Sequence, residues 1–326
     1  MQGISAINNE DSYVQVRALG LDRLFLKLES LNPSGSIKLK AALGMIEFAE
    51  RAGQIIGNTM LIESSSGSLG VAIAMVAAER GYRFTCVVDP NASTQNVKMM
   101  QALGAQIVTV TQRDENGGFL GTRIRYIQDA LSKDRQLLWL NQYANPENPA
   151  AHYRNTAPAI AARFLRLDYL FVGAGTTGTL MGCLAYFNRH RPEVKVVAVD
   201  SIGSVTFGHP PAKRFVPGLG TSQRPEIFDP AGLHAHAMVA EISAIRMCRQ
   251  LARTEGLLAG GSTGTVLAGV LAWRERMPAN SVVVAISPDL GERYLDTIYN
   301  DAWVTEKFGA AWRSPGAAAP KTKALP

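Results

Sequence analysis

Short apolar runs alternate with helix-like stretches along most of the 326 residues, and this alternation restricts the fold more than any other feature. The runs LFLKL at 24–28, TMLIE at 59–63 and VVVAIS at 282–287 have the composition and length of strands. Alternation of this kind is typical of parallel sheets covered by helices on both faces. Continuous apolar strands also fit burial from both sides. The sequence therefore predicts an α/β protein.

The alternation is repeated in both halves of the chain, which predicts two sheets and two lobes. Proteins of this length commonly divide into two units that share a cleft. The turn-rich NPENP at 145–149 is the predicted boundary. The tail from 313 to 326 is small, proline-rich and poor in large apolar residues, which predicts disorder.

Charge and cysteine usage exclude several function classes. The net charge of +6 comes from scattered basic residues without interleaved aromatics, which argues against nucleic-acid binding but suits small anionic substrates. The sequence has no run of about 18 apolar residues, so no membrane span is predicted. The first residues have no basic stretch followed by an apolar one, so we do not expect a secretory signal. The three distant cysteines have neither metal nor redox spacing. We therefore expect buried free thiols, no metal site and a cytoplasmic protein.

The first chemical motif is NPSGSIK at 32–38, which follows a strand-like run and ends on a lysine that opens a helix. Asn, Pro, Ser and Gly favour a turn, so Lys38 stands at the edge of a rigid element. A solvated lysine is the ordinary alternative, although a helix N-terminus disfavours a cation. The context favours a lysine that forms a Schiff base.

The second motif is SSSGSLG at 64–70, between a predicted strand and a predicted helix. Small residues expose backbone amides, and a helix N-terminus adds partial positive charge, so this loop can hold a carboxylate. The alternative is a serine-rich connection that caps the helix.

The third motif, GAGTTGT at 173–179, also joins a strand to a helix. It matches the dinucleotide pattern G-x-G-x-x-G, and Asp200 follows at the required distance, so a nicotinamide-dependent dehydrogenase is an alternative. Three threonine hydroxyls suit a terminal phosphate, whereas a pyrophosphate is held mainly by backbone amides. We therefore interpret the loop as a cradle for a monophosphate. Two further stretches, GGSTG at 260–264 and PDLGERY at 288–294, are by themselves only turns.

Together and in this order, the motifs resemble those of fold-type II pyridoxal phosphate (PLP) enzymes of the cysteine synthase family. The family patterns NPSGSxKDR, TSGNTG, GTGGT and PxSGERY correspond to NPSGSIKLK, SSGSLG, GTTGT and PDLGERY. The resemblance covers about residues 20–310 and implies a two-lobe, tryptophan synthase β-like fold. It implies a large PLP-binding domain of residues 1–39 and 146–312, a smaller domain of residues 40–145, and a homodimer.

The resemblance also assigns roles to single residues. Lys38 would carry PLP and act as the catalytic base. The phosphate would be held by Gly175, Thr176, Thr177, Gly178 and Thr179, and the substrate carboxylate by Ser65, Ser66, Gly67 and Gln142.

Three departures from the family pattern argue against an ordinary cysteine synthase. Ser68 replaces the asparagine beside the phenolic oxygen of PLP. Leu290 replaces the serine that faces the pyridine nitrogen, and Lys40 stands where the pattern has arginine. An apolar Leu290 should leave that nitrogen unprotonated.

A narrower resemblance, in stretches such as GGFLGTR at 117–123 and NQYAN at 141–145, is to the N-(2-amino-2-carboxyethyl)-L-glutamate synthases. It implies small amino-acid substrates: O-phospho-L-serine as donor and L-glutamate as the amine, in the route to 2,3-diaminopropionate. Lys213, Arg214 and Arg224 surround a glycine loop, and guanidinium groups suit phosphate. Arg224 is the predicted contact for the substrate phosphate, because it follows the PGLGTS turn most closely. The alternatives are a cysteine synthase and a paralogue that only binds or regulates.

Overall fold

The computed structural model describes residues 3, 7, 9–115, 117–313 and 321–324, the last four by backbone alone. Eleven strands and ten α-helices occur within these residues. The strands are β1 Tyr13–Gln15, β2 Leu24–Leu28, β3 Met60–Ser64, β4 Arg83–Val88, β5 Gln106–Thr109, β6 Leu137–Trp139, β7 Tyr169–Gly173, β8 Lys195–Ser201, β9 Ala235–Val239, β10 Val283–Ser287 and β11 Lys321–Ala324. The helices are α1 Lys38–Arg51, α2 Ser68–Arg80, α3 Thr94–Ala102, α4 Leu120–Lys133, α5 Glu147–Arg154, α6 Thr156–Arg163, α7 Gly178–His190, α8 Glu241–Thr254, α9 Gly261–Trp273 and α10 Asp301–Phe308.

The strands form two sheets, as the alternation predicts. The large sheet has the order β1-β2-β10-β7-β8-β9-β11, and its two edge strands are antiparallel to their neighbours while the inner strands are parallel. The small sheet, β5-β4-β3-β6, is parallel throughout. This confirms the predicted α/β class.

Both faces of each sheet are buried. In β8, Val197 and Val199 face one apolar cluster, whereas Val196 and Ala198 face another. This alternation follows from the period of two along a strand. The small sheet likewise has one large apolar cluster and a smaller one on its other side. Helices therefore cover both sides, which explains the continuously apolar strand sequences.

The three cysteines are buried and free, as expected. Each lies in a different apolar cluster: Cys86 belongs to β4 of the small sheet, Cys183 to α7 and Cys248 to α8. Burial raises the pKa of each thiol to about 12. None of the described helices has the length and apolar character needed to cross a bilayer.

Several elements differ from the predicted ones. The turn-rich stretch at 145–149 runs into α5, which packs between α1 and α7. Helix α9 begins at Gly261, so GGSTG forms the first turn of a helix rather than an isolated turn. The predicted disordered tail lies largely outside the described residues. Its described part, Lys321–Ala324, is an antiparallel edge strand against β9.

Candidate active site

All the predicted loops follow the carboxyl ends of parallel strands. The Lys38 loop follows β2, the serine loop follows β3, the threonine loop follows β7 and PDLGERY follows β10. In open α/β sheets, ligands bind at this edge. Contacts between the loops confirm that they meet. Residue Ser36 forms a β-bridge with Asp289, and the Ile37 amide donates to the Pro288 carbonyl at 2.8 Å.

Lys38 is the first residue of α1 and is half-buried. Burial lowers the pKa of its amine to about 8, and the negative charge of Asp289 opposes this effect. A lysine with this pKa has a substantial neutral fraction near neutral pH. Lys38 can therefore act as a nucleophile toward a carbonyl carbon and as a general base.

Asp289 is a buried carboxyl group that the sequence analysis did not identify. Its Oδ2 accepts a hydrogen bond from the Tyr294 hydroxyl, while its buried Oδ1 has no hydrogen-bond partner in the part of the chain that the structure describes. Burial raises the pKa of Asp289 to about 6, against the lowering effects of Tyr294, Arg293 and Lys38. The adjacent Leu290 is half-buried and pairs by backbone with Ala259.

The threonine loop leads into α7 and has the features of an anion cradle. Thr177 has a positive φ of 68°, a backbone conformation that costs a non-glycine residue about 1–3 kcal/mol. Its buried Oγ1 has no hydrogen-bond partner among the described residues. Gly175 lies so close to the Gly218 carbonyl that a Cβ would be 2.7 Å from that oxygen. An orphaned hydroxyl beside the N-terminus of a helix fits a phosphate group.

Asn148 borders this cradle and was not identified from the sequence. Its amide nitrogen donates to the Gln142 carbonyl at 2.7 Å and to Thr176 Oγ1 at 3.2 Å. Its Oδ1 is buried, and none of the described residues forms a hydrogen bond with it. Gly178 leaves space for it, because a Cβ there would overlap Oδ1. Asn148 therefore joins the threonine loop to the loop that contains Gln142.

The serine loop is also rigidly held. Ser65 Oγ accepts from the Gly70 amide at 3.0 Å, while Ser66, Gly67 and Ser68 are half-buried. The Gln142 side chain donates to the Ser64 carbonyl at 2.9 Å. The structure thus brings Gln142 to the serine loop, as predicted.

Buried Glu63 holds the serine loop and the loop that contains Gln142 in place. Its carboxylate accepts from the Ser64 amide at 2.8 Å and from the Gln142 amide at 3.3 Å. Burial raises the pKa of Glu63 to about 7. The serine loop and the Gln142 loop are therefore tied to one side chain.

Arg293 connects the two sheets at the site. Its guanidinium donates to the Ser68 hydroxyl and to the Ser34 carbonyl of the Lys38 loop. Ser68 follows the small sheet and Ser34 follows a strand of the large one. The short serine side chain at 68 is thus satisfied by an arginine from the PDLGERY segment.

Two predicted contacts lie outside this group. Arg224 is exposed, with its guanidinium over the Phe228 ring at 4.9 Å. Asp200 is fully buried, and its Oδ1 accepts from the Ser201 amide at 2.7 Å. Burial raises the pKa of Asp200 to about 7. A carboxyl group enclosed in this way is not available to a ribose, which argues against the dehydrogenase alternative.

A reactive lysine and a monophosphate cradle at the strand ends of two parallel sheets define a class: the fold-type II enzymes, which hold a phosphorylated aldehyde on a lysine. A sequence model of the pyridoxal-phosphate dependent enzymes matches residues 12–289. The chain belongs to this family, and its cofactor is PLP.

Related proteins and solved structures agree with this assignment. The chain is 40% identical to N-(2-amino-2-carboxyethyl)-L-glutamate synthase of Ralstonia nicotianae over 303 residues, which are 93% of this chain and 89% of that protein. Among solved structures, O-ureido-L-serine synthase matches with a TM-score of 0.83 and 32% identity, covering 94% of this chain and 99% of that one. The O-acetylserine dependent cystathionine β-synthase of Helicobacter pylori matches with a TM-score of 0.85 and 27% identity, covering 92% and 99%.

Proposed function

We propose that this protein catalyses β-replacement on O-phospho-L-serine with L-glutamate as the amine, yielding N-(2-amino-2-carboxyethyl)-L-glutamate and phosphate. This proposal rests on the 40% identity to an N-(2-amino-2-carboxyethyl)-L-glutamate synthase over 93% of the chain. The site supports the reaction type, because it combines a lysine of lowered pKa with a phosphate cradle.

PLP, when bound, supplies an electron sink for the α-carbon of the amino acid. Lys38 would hold the cofactor covalently, and the hydroxyls of Thr176, Thr177 and Thr179 would donate to its phosphate with the amides of Gly175 and Gly178. These residues fit the group, since the buried Thr177 hydroxyl, which has no partner among the described residues, lies at the N-terminus of α7.

Residues of the chain itself would bind the substrate and transfer its protons. Ser65, Ser66, Gly67 and Gln142 would bind the substrate carboxylate, on a loop that Glu63 fixes. Lys38, once free as an amine, would take the proton from the α-carbon while the C–O bond to phosphate breaks at the β-carbon. The glutamate nitrogen then bonds to the β-carbon and loses a proton, and Lys38 returns the α-proton. Ser68 and Leu290 would border the ring, with Leu290 leaving its nitrogen without a hydrogen-bond donor or acceptor.

Product analysis by mass spectrometry tests the proposal. Purified enzyme receives O-phosphoserine or O-acetylserine together with glutamate, sulfide or homocysteine in separate reactions. We expect the glutamate adduct and one phosphate per adduct. Cysteine from O-acetylserine and sulfide, formed faster than the glutamate adduct, would contradict the proposal. It would instead favour a cysteine synthase, to which the structural similarity with an O-acetylserine dependent enzyme also points.

Arg224 is the proposed contact for the phosphate leaving group. Its exposed guanidinium is held over the Phe228 ring, beside the loop at 222–223 that approaches Gly118 and Gly121 of the small-sheet half. Loss of a charge-assisted contact costs about 1.5–3 kcal/mol, so Arg224→Ala should lower kcat/KM for O-phosphoserine about ten- to a hundredfold. O-acetylserine should be affected little. Equal losses with both donors would remove Arg224 from the site.

The proposal includes the organisation of the protein. We assign residues 1–39 and 146–312 to a PLP-binding domain and residues 40–145 to a smaller domain, which agrees with the limits of the two sheets. Three free thiols in separate clusters support a cytoplasmic location. The family resemblance supports a homodimer, for which sedimentation equilibrium provides the test.

A further inference from the structure

A buried row of four polar side chains connects the first turn of α1 with the first turn of α7. Lys40 Nζ lies 3.1 Å from Thr156 Oγ1, which lies 3.0 Å from His152 Nδ1. On the other side of the ring, His152 Nε2 lies 3.2 Å from Thr179 Oγ1. None of the four is more than 8% exposed. The row ends at the threonine loop, two residues after the orphaned hydroxyl of Thr177.

The first member of the row fixes the direction of its hydrogen bonds. Lys40 lies 2.7 Å from Glu10 Oε2, 2.7 Å from Glu29 Oε2 and 3.1 Å from Thr156 Oγ1. An ammonium group has three donors and no acceptor, and these three oxygens account for all of them. Thr156 Oγ1 therefore accepts from Lys40, and among the described residues its own proton has no acceptor other than His152 Nδ1, so that Thr156 donates to the ring.

The same direction continues through the imidazole. A neutral histidine has one nitrogen that donates and one that accepts. Because Thr156 donates to Nδ1, the ring proton lies on Nε2, which then donates to Thr179 Oγ1. Burial and the nearby Lys40 and Lys38 hold the pKa of His152 well below its usual value, so the ring stays neutral. Thr179 accepts at its oxygen and keeps its own proton for another acceptor.

We propose that Lys40 and Thr156 are positioning residues that set the tautomer of His152 and thereby turn the Thr179 hydroxyl into a donor toward the cofactor phosphate. The inference rests on the proposed phosphate-binding role of residues 175–179. Its physical reason is that a phosphate offers only acceptors. In the opposite tautomer, Thr179 would donate to His152 and present lone pairs to the phosphate.

The tautomer is measurable without turnover. The chain has five histidines, so ¹⁵N-histidine labelling with His152→Gln for assignment resolves the ring. In the wild-type apo-protein we expect a protonated Nε2 and a bare Nδ1. A proton on Nδ1, or a charged ring at neutral pH, would overturn the inference irrespective of any variant.

A matched pair of substitutions tests the consequence for PLP. Thr156→Val keeps the volume and removes the hydroxyl, whereas Thr156→Ser keeps the hydroxyl. We expect Thr156→Val to abolish the preference for the Nε2–H tautomer and to raise the Kd for PLP about tenfold. Thr156→Ser should retain both properties. An unchanged His152 tautomer and an unchanged Kd for PLP in Thr156→Val would refute the proposed role of Lys40 and Thr156.

Thr177→Asp separates this failure from that of the proposed function. A carboxylate in the cradle should weaken PLP binding severely, by repulsion of the phosphate. If Thr177→Asp binds PLP normally, the cradle itself is misplaced and both proposals fall. If Thr177→Asp loses PLP while Thr156→Val does not, only the proposed role of Lys40 and Thr156 is refuted.

Discussion

Lys38 and Lys40 lie two residues apart on the first turn of α1, yet their surroundings differ completely. Lys40 is 4% exposed and has two carboxylates and a hydroxyl as partners. Lys38 is half-buried, and among the described residues it has no hydrogen bond or ion pair, only the electrostatic effect of Asp289. Of these two lysines on one helix, Lys40 is held by ion pairs, whereas Lys38 has the lowered pKa of a reactive amine.

The comparison teaches that burial alone does not produce a reactive lysine. Burial disfavours the charged form, and a close carboxylate restores it. Lys40 and Lys27 both form ion pairs with Glu10 and Glu29. This cluster therefore contains two positive and two negative charges. Lys38 is desolvated but has no compensating ion pair among the described residues. Burial together with this missing partner makes Lys38 the candidate for covalent and acid–base chemistry.

The largest expected effect is that of Lys38→Ala on catalysis. Both the covalent link and the base disappear, so we expect kcat to fall at least about a thousandfold. The unfolding free energy should change little, because Lys38 has no ion pair in the described structure. Borohydride reduction of wild-type holoenzyme, followed by peptide mapping, should place the pyridoxyl group on Lys38. A label on Lys40 would show that Lys40, and not Lys38, is the reactive lysine.

Lys40→Met should have its largest effect on stability. It leaves Glu29 buried with one ammonium fewer, and breaking a buried ion pair costs about 3–5 kcal/mol. Urea unfolding of the apo-protein measures this loss. Adding Glu29→Gln to Lys40→Met should recover part of it, because the uncompensated charge is then removed. A double variant less stable than Lys40→Met would show that the cluster is not governed by charge balance.

Asp289→Asn should sharpen the comparison by removing the one charge that favours protonated Lys38. The pKa of Lys38 should then fall below about 8, since Asp289 raises it and burial lowers it. The pH dependence of Lys38 acylation in the apo-protein reports this value, with the reactive amine appearing at lower pH in the variant. The exposed Asp296→Asn is the control and should leave the profile unchanged.

The smallest effect is expected for Asp200→Asn, which tests whether a perturbed pKa by itself marks the site. The affinity for PLP should change less than about threefold, since the fully buried carboxyl group accepts from its neighbour's amide. Its pKa of about 7 lies above the unfolded value of 3.8, so the folded state binds the proton more tightly. Its contribution to stability is therefore present at low pH and lost as pH rises toward 7. Asp200→Asn should flatten that part of the stability curve.

The sequence predicts the parts of this site that depend on local residue types. Turn formers before a lysine and small residues between a strand and a helix are local signals, and they located Lys38 and the two loops that begin at 64 and 173. The family resemblance further implies that these loops meet at one site.

The remaining parts depend on tertiary contacts that no local pattern encodes. Asn148 lies in the predicted turn at 145–149 and His152 follows it, yet both belong to helix α5, which places them against α7. The positive φ of Thr177 has no signal in a Thr-Thr pair. Arg293 reaches Ser68 across 225 positions of sequence, so its role could not be derived from spacing.

The three buried thiols make the protein its own probe of local unfolding. At neutral pH, thiols with a pKa of about 12 are unreactive, so an alkylating reagent modifies each one only after its surroundings open. Cys86 reports on the small sheet, while Cys183 and Cys248 report on two layers around the large one. The order in which the three are alkylated ranks the opening free energies of these regions without any introduced label.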